Sequence, residues 1–261
     1  MAEKFVKVET GQKLTETVKD HVMKAGVTEY VVLDLEMTGL SAKTDQVIEI
    51  GALKIKENQI VATMECLVNP RCKIPTRVSE LTGITDEMVS AGRDKEEAMA
   101  ELLDFIEGSI LVGQNILFDY SFLKQWAVNH KRPLEAKACD TLKLARVLLP
   151  VEQSKKLEDL CVYFGIERNR EHRALDDAVE TWQVFERLKA LALERENGDK
   201  YLEPFELHYK AKKQSPATGK QIERLKSYRQ QHQIEDEINW ENLTKSEASR
   251  IMDRYILVHG R

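Results

Sequence analysis

The segment Tyr30-Val31-Val32-Leu33-Asp34-Leu35-Glu36 limits the folds open to this chain more than any other. Val31, Val32 and Leu33 make the chain apolar on both faces, and such a run belongs in a central strand covered on each side. Side chains alternate along a strand, so Asp34 and Glu36 project from one face, roughly 7 Å apart. Carboxylates placed together at the end of a buried strand repel one another and lose hydration, a combination that demands Lys/Arg partners or a metal. No basic residue lies within the segment, which tilts the balance towards metal. A single Asp-x-Glu is weak ground by itself, because most such pairs are strand ends emerging into water.

The surrounding pattern alternates strands and helices. β-Branched runs at 30–36, 47–56 and 60–68 predict three neighbouring strands, the last two joined by a turn at Glu57-Asn58, and Ile110-Leu111-Val112 predicts another. Helical periodicity follows at 95–106, 120–129, 141–148, 157–164 and 175–193. The expected class is α/β, a mixed sheet packed between helices. With 261 residues, 42% of them apolar, the chain can fill one sizeable core and a smaller appendage. Four parts are expected: an N-terminal helical extension over 1–27, a main domain over 28–195, a linker over 196–217 and a small helical module over 218–261. In that module Thr218 with Gln221, and Thr244 with Glu247, fit capping boxes that open helices.

Some functional classes are excluded at this level. No apolar run approaches the roughly 20 residues that span a bilayer, and the first residues have no signal-peptide pattern. Cys66, Cys72, Cys139 and Cys161 fit neither zinc-ligand spacing nor a disulfide framework, so free thiols in the cytoplasm are expected, with no membrane partner.

Two further segments place acids at the openings of helices. Asp119 follows the strand end Gly113-Gln114-Asn115, where an acid is commonly favoured by the helix dipole alone. In Glu171-His172-Arg173-Ala174-Leu175-Asp176-Asp177, positions five apart on a helix diverge by about 140°. His172 and Asp177 can share a site only if His172 lies in the preceding loop or first turn. Each segment is ordinary alone, but all three fall where α/β sheets build their sites.

Taken in order, Asp34-Leu35-Glu36-Met37-Thr38-Gly39-Leu40, Asn115 through Asp119, and His172 through Asp177 resemble the three motifs of the DEDDh 3′–5′ exonucleases. That family includes the proofreading (epsilon) subunit of bacterial DNA polymerase III. The likeness spans about residues 28–193 and extends to Val68-Asn69-Pro70, Leu81-Thr82-Gly83-Ile84-Thr85 and Asp140-Thr141-Leu142. Two positions depart from the proofreading pattern: Met37 replaces a usual Thr, as in the oligoribonuclease branch, and Gln114 replaces a frequent His.

The resemblance implies a ribonuclease H-like fold and phosphodiester hydrolysis assisted by two divalent ions, Mg²⁺ or Mn²⁺. Asp34, Glu36, Asp119 and Asp177 would be the metal ligands, with Asp34 shared by both ions, and oxygen donors of this kind suit such ions. His172 would be the general base, histidine being the side chain whose proton affinity lies nearest neutral pH. Met37, Thr38, Leu40, Asn115 and Phe118 would contact the terminal nucleotide. The expected reaction releases nucleoside 5′-monophosphates from the 3′ end of single-stranded DNA, in proofreading or repair and in company with a DNA polymerase. An exoribonuclease on short RNA is the alternative that the Met37 motif favours; a non-catalytic nucleic-acid-binding module is a third.

Charge sets the tail apart. Residues 207–261 carry 11 Lys+Arg against 7 Asp+Glu, although the whole chain has a net charge of −5. The basic stretch from Lys210 to Arg229 could follow phosphates or simply be a solvated face.

Overall fold

The structure is a computed structural model that describes residues 27–168, 172–236, 238, 240 and 243–260. The helix expected within the 1–27 extension, around Leu14–Met23, lies outside the described residues. The sheet comprises β1 (Glu29–Met37), β2 (Val47–Lys56), β3 (Gln59–Asn69), β4 (Arg93–Asp94), β5 (Leu111–Gly113), β6 (Lys137–Asp140) and β7 (Phe205–Glu206), in the order β4-β3-β2-β1-β5-β6-β7. β1, β2 and β3 form an antiparallel meander, and β5 and β6 add in parallel with β1. β1 thus lies inside the sheet, as its apolar run requires.

The helices are α1 (Thr76–Thr82), α2 (Asp86–Ser90), α3 (Lys95–Ile106), α4 (Leu117–Asn129), α5 (Thr141–Leu148), α6 (Leu157–Phe164), α7 (Ala174–Leu193), α8 (Gly219–His232) and α9 (Lys245–His259). Alternation along β1 divides the core. Val31, Leu33, Leu35 and Met37 pack with residues of α3 and α4, whereas Tyr30 and Val32 pack with residues of α5, α6 and α7. Asp34 and Glu36 share the second face. The acids therefore look towards the start of α7.

The expected boundary at 195 needs correction. A short 3₁₀ turn spans Gly198–Leu202, β7 pairs with β6, and Leu202 and Leu207 are buried in the two halves of the core. The sheet domain therefore runs to about 207; leucines at 202 and 207 flanking Pro204 carry no periodic signal from which to read this. Both capping boxes of the tail are present, and α8 and α9 enclose a small core of Leu225, Leu243, Ala248, Met252 and Tyr255. Among the described residues no helix is long and apolar enough to cross a membrane.

Candidate active site

The site forms at the edge of the sheet where β1 and β5 end. The two strands pair only through Val31–Leu111 and Val32–Val112 before they diverge. Leu35 then presents its backbone N–H to the widening gap, and Asp119 Oδ1, in the first turn of α4, accepts that hydrogen bond at 3.1 Å. The loop that launches α4 is braced from β6: Asp140 accepts from the backbone N–H of Asn115 at 3.2 Å while also capping α5 through Leu142 and Lys143. Gln114 donates to the carbonyl of Lys155 at 2.7 Å and accepts from Thr141 Oγ1. The residue that replaces a histidine of the proofreading pattern is thus part of the wall of the loop.

On the other side, α7 begins against β2. A Cβ on Gly51 would lie 2.1 Å from the backbone carbon of Ala174, so a bare backbone is required for the helix to sit this close. His172 occupies the preceding loop with φ 55°, a left-handed conformation that histidine adopts more readily than most residues. The required placement before the helix is met. Single donor atoms of Glu36, His172 and Asp177 all lie within 4.8 Å of one another.

Electrostatics gathers the remaining acids. Burial, followed by the charge of Asp119 and then those of Glu36 and Asp177, pushes the Asp34 carboxyl well above the ordinary carboxylate range. Burial likewise raises Asp119, against the hydrogen bonds it accepts from its own N–H and that of Leu35. Glu36 is raised to about 8 by burial and by Asp177, Glu49 and Asp119. Asp177 is raised to about 7 by burial and Glu180, with Arg168 pulling the other way. Without added cations, such a cluster holds protons that free carboxylates would have released.

Sequence reasoning overlooked two supports. Glu49 lies directly across the β1–β2 ladder from Glu36 and is only 1% exposed. It accepts hydrogen bonds from Arg173 Nε at 3.0 Å and Nη2 at 2.6 Å, and from the backbone N–H of Ala174 at 2.9 Å. This clamp ties the first turn of α7, and with it His172, to the strand beside the acids. The signal was legible: in Val47-Ile48-Glu49-Ile50-Gly51 an acid occupies a position on the core-facing side of an apolar strand. Arg168 is the second support, donating to Asp177 Oδ1 at 3.3 Å and to Glu180 Oε2 at 2.8 Å.

The residues expected to meet the nucleotide divide in their placement. Met37 is buried in the core on the face opposite Asp34 and Glu36, and Thr38 turns its hydroxyl inward to accept the N–H of Gln46 at 2.9 Å. Leu40 is 85% exposed, Asn115 is exposed with φ 63°, and Phe118 is half-buried edge-on to Phe122.

The fit to divalent ions rests on donor chemistry. Glu36, His172 and Asp177 meet, Asp34 lies close enough to Asp119, Glu36 and Asp177 for their charges to raise it, and oxygen-rich donor sets of this kind suit Mg²⁺ or Mn²⁺.

Known proteins share the family and the fold of this chain. An exonuclease family model of the RNase T type matches residues 31–185. The PolC-type DNA polymerase III of Thermotoga petrophila is 45% identical over 161 residues, which are 60% of this chain and 11% of the polymerase. The corresponding protein of Bacillus subtilis is 37% identical over 177 residues, 66% of this chain and 12% of its own. The chain thus spans about a tenth of the length of these relatives. Among solved structures, the nuclease domain of 3′hExo, a DEDDh family member bound to rAMP, superposes with a TM-score of 0.57 at 18% identity, covering 69% of this chain and 98% of that one. Exonuclease X in complex with 5′ overhanging duplex DNA gives 0.51 at 21%, covering 66% and 97%. Both share the fold.

Proposed function

This chain belongs to the RNase T exonuclease family, and from that premise we propose that it is a 3′–5′ exonuclease of the DEDDh type, removing nucleoside 5′-monophosphates from the 3′ end of single-stranded DNA in a reaction that requires divalent ions. The observation that carries the reading is the meeting of Glu36, His172 and Asp177 within 4.8 Å on the face that also bears Asp34.

Asp34, Glu36, Asp119 and Asp177 would hold two ions, whose charge would offset the anionic phosphodiester and the developing charge on the attacking and leaving oxygens. His172, held in its loop by the adjacent Arg173–Glu49 clamp, takes the proton from the attacking water. The exposed Leu40 and Asn115 at the rim would meet the terminal nucleotide. The identity with PolC-type polymerases favours DNA over RNA and a proofreading or repair setting beside a polymerase.

The test compares 5′-labelled single strands of DNA and RNA, in Mg²⁺, Mn²⁺ and EDTA. Stepwise shortening of DNA from the 3′ end in either ion, and none in EDTA, is expected. Preferential loss of the RNA strand would replace the DNA assignment with an exoribonuclease. Undiminished cleavage by a folded Asp34→Ala protein would remove the metal site from these residues.

A further inference from the structure

The proposed reaction leaves the basic tail without a task, yet the structure lays its first residues along α4, the helix whose first turn carries Asp119. The chain after β7 runs along α4: Gln125 donates to the carbonyl of Lys212 at 2.9 Å, and Asn129 accepts from the backbone N–H of Gln214 at 2.9 Å. Gln214 in turn reaches the carbonyl of Lys43, within the loop that leaves β1 directly after Glu36 and Leu40. Gln125 and Asn129 lie six and ten residues beyond Asp119 on one helix, about 9 and 15 Å at 1.5 Å per residue. A strand whose 3′ end reached the carboxylates would cover that distance within its next few nucleotides.

Lys43, Lys210, Lys212 and Lys213 are all exposed along this path. None of the four makes an ion pair to an acid among the described residues, unlike Lys124 with Glu135 and Arg132 with Asp104 on neighbouring elements. Beyond them α9 closes against the same loop, and Arg250 lines a cleft of about 430 Å³ opposite Thr44, Gln46 and Lys95. A row of unmatched cations on a domain of net negative charge has the character of a phosphate-binding surface.

We infer that Lys43 and the segment Lys210–Lys213 form a backbone-binding track that holds the single-stranded nucleic acid upstream of the terminal nucleotide. The inference rests on the proposed exonuclease reading for its direction, since the site supplies the fixed end of the strand. The track explains how a domain with an acidic centre retains a polyanion: phosphates distant from the site are neutralised by side chains on a covalently attached strap.

The test uses the full chain and a Lys210→Ala/Lys212→Ala/Lys213→Ala variant, none of whose changes touches the catalytic cluster. On a dinucleotide, whose single phosphate is the one cleaved and which has none upstream for the strap to hold, kcat and KM are expected to match the unaltered protein. On a long single strand the KM should rise about tenfold. Its logarithmic salt dependence should flatten by about 2, from about 0.7 for each phosphate that is no longer neutralised. Equal KM values on the long strand, or an equal change on both substrates, would overturn the track. Binding of the long strand in EDTA, read by fluorescence anisotropy, separates the two levels. Lysine-dependent binding without hydrolysis would retain the track and defeat the catalytic reading. Lysine-independent binding alongside hydrolysis would do the reverse and leave the strap to an acidic protein partner.

Discussion

Removing the Glu49 carboxylate should damage both stability and catalysis, by amounts that follow from what it touches. It is buried, accepts three hydrogen bonds from Arg173 (Nε to both carboxylate oxygens, Nη2 to one) and one from the Ala174 N–H, and faces Glu36 across the ladder. Glu49→Ala leaves a guanidinium with only 21% of its side chain exposed, and a helix-opening N–H, without their acceptor. Breaking a buried pair from one side costs about 3–5 kcal/mol. Arg173 can recover part of that by swinging into water, so about 2–4 kcal/mol is expected. The neutral Glu49→Gln keeps the volume and an acceptor for Ala174, and should cost about 1–2 kcal/mol. One opposing effect enters: the lost charge relieves repulsion on Asp34 and Glu36, which Glu49 helps to raise. Urea unfolding in EDTA measures the balance. Kinetics then reads the positioning role, because His172 precedes the clamped residue: kcat should fall more than tenfold in Glu49→Ala while KM changes little. A folded Glu49→Ala protein with unaltered kcat would refute the idea that the clamp holds the base. A gain in stability on Glu49→Ala would show that repulsion, not pairing, governs this carboxylate.

The raised acids predict an unusual pH dependence in EDTA. Glu36 goes from an ordinary 4.5 to about 8, so the folded form holds its proton longer than the unfolded chain does. Stability from this group is fully present below about pH 4.5 and is lost as pH rises through about 8; Tm should fall across that window, and an unchanging Tm would contradict the crowding. Mg²⁺ should raise Tm most at the alkaline end of the range, and Asp34→Asn should raise the Tm in EDTA while abolishing the Mg²⁺ response. Gly51→Ala should destabilise by about 3 kcal/mol or more, because its Cβ would enter the backbone of Ala174; urea titration reads the loss. His172→Ala should lower kcat by about 10²–10⁴, and an unchanged pH–rate profile would place the base elsewhere.

Local patterns are enough for much of this protein. Because period and capping are properties of neighbouring residues, the helices Lys95–Ile106, Thr141–Leu148 and Leu157–Phe164 appear at the bounds their sequences predict, and both tail capping boxes form as read. The Asp34–Glu36 pair is legible for the same reason: alternation within one strand fixes their shared face before any partner is known. β6 and β7 leave no such mark, because Lys137-Ala138-Cys139-Asp140 and Phe205-Glu206 contain no β-branched residue, unlike the equally short β5, and they exist only through pairing with neighbours supplied from elsewhere in the chain.

What only the folded molecule decides is which distant groups meet. Glu49 and Arg173 are separated by 124 positions, and nothing local says that an acid on one strand and a base before a helix will compensate each other. Met37 lay within a motif that pointed to substrate, yet the alternation that sends Asp34 and Glu36 towards α7 sends its neighbour into the opposite core. Residue type and spacing determined the chemistry available to this chain, through short-range periodicity. Burial and convergence, which depend on contacts across the whole sheet, determined where that chemistry is assembled.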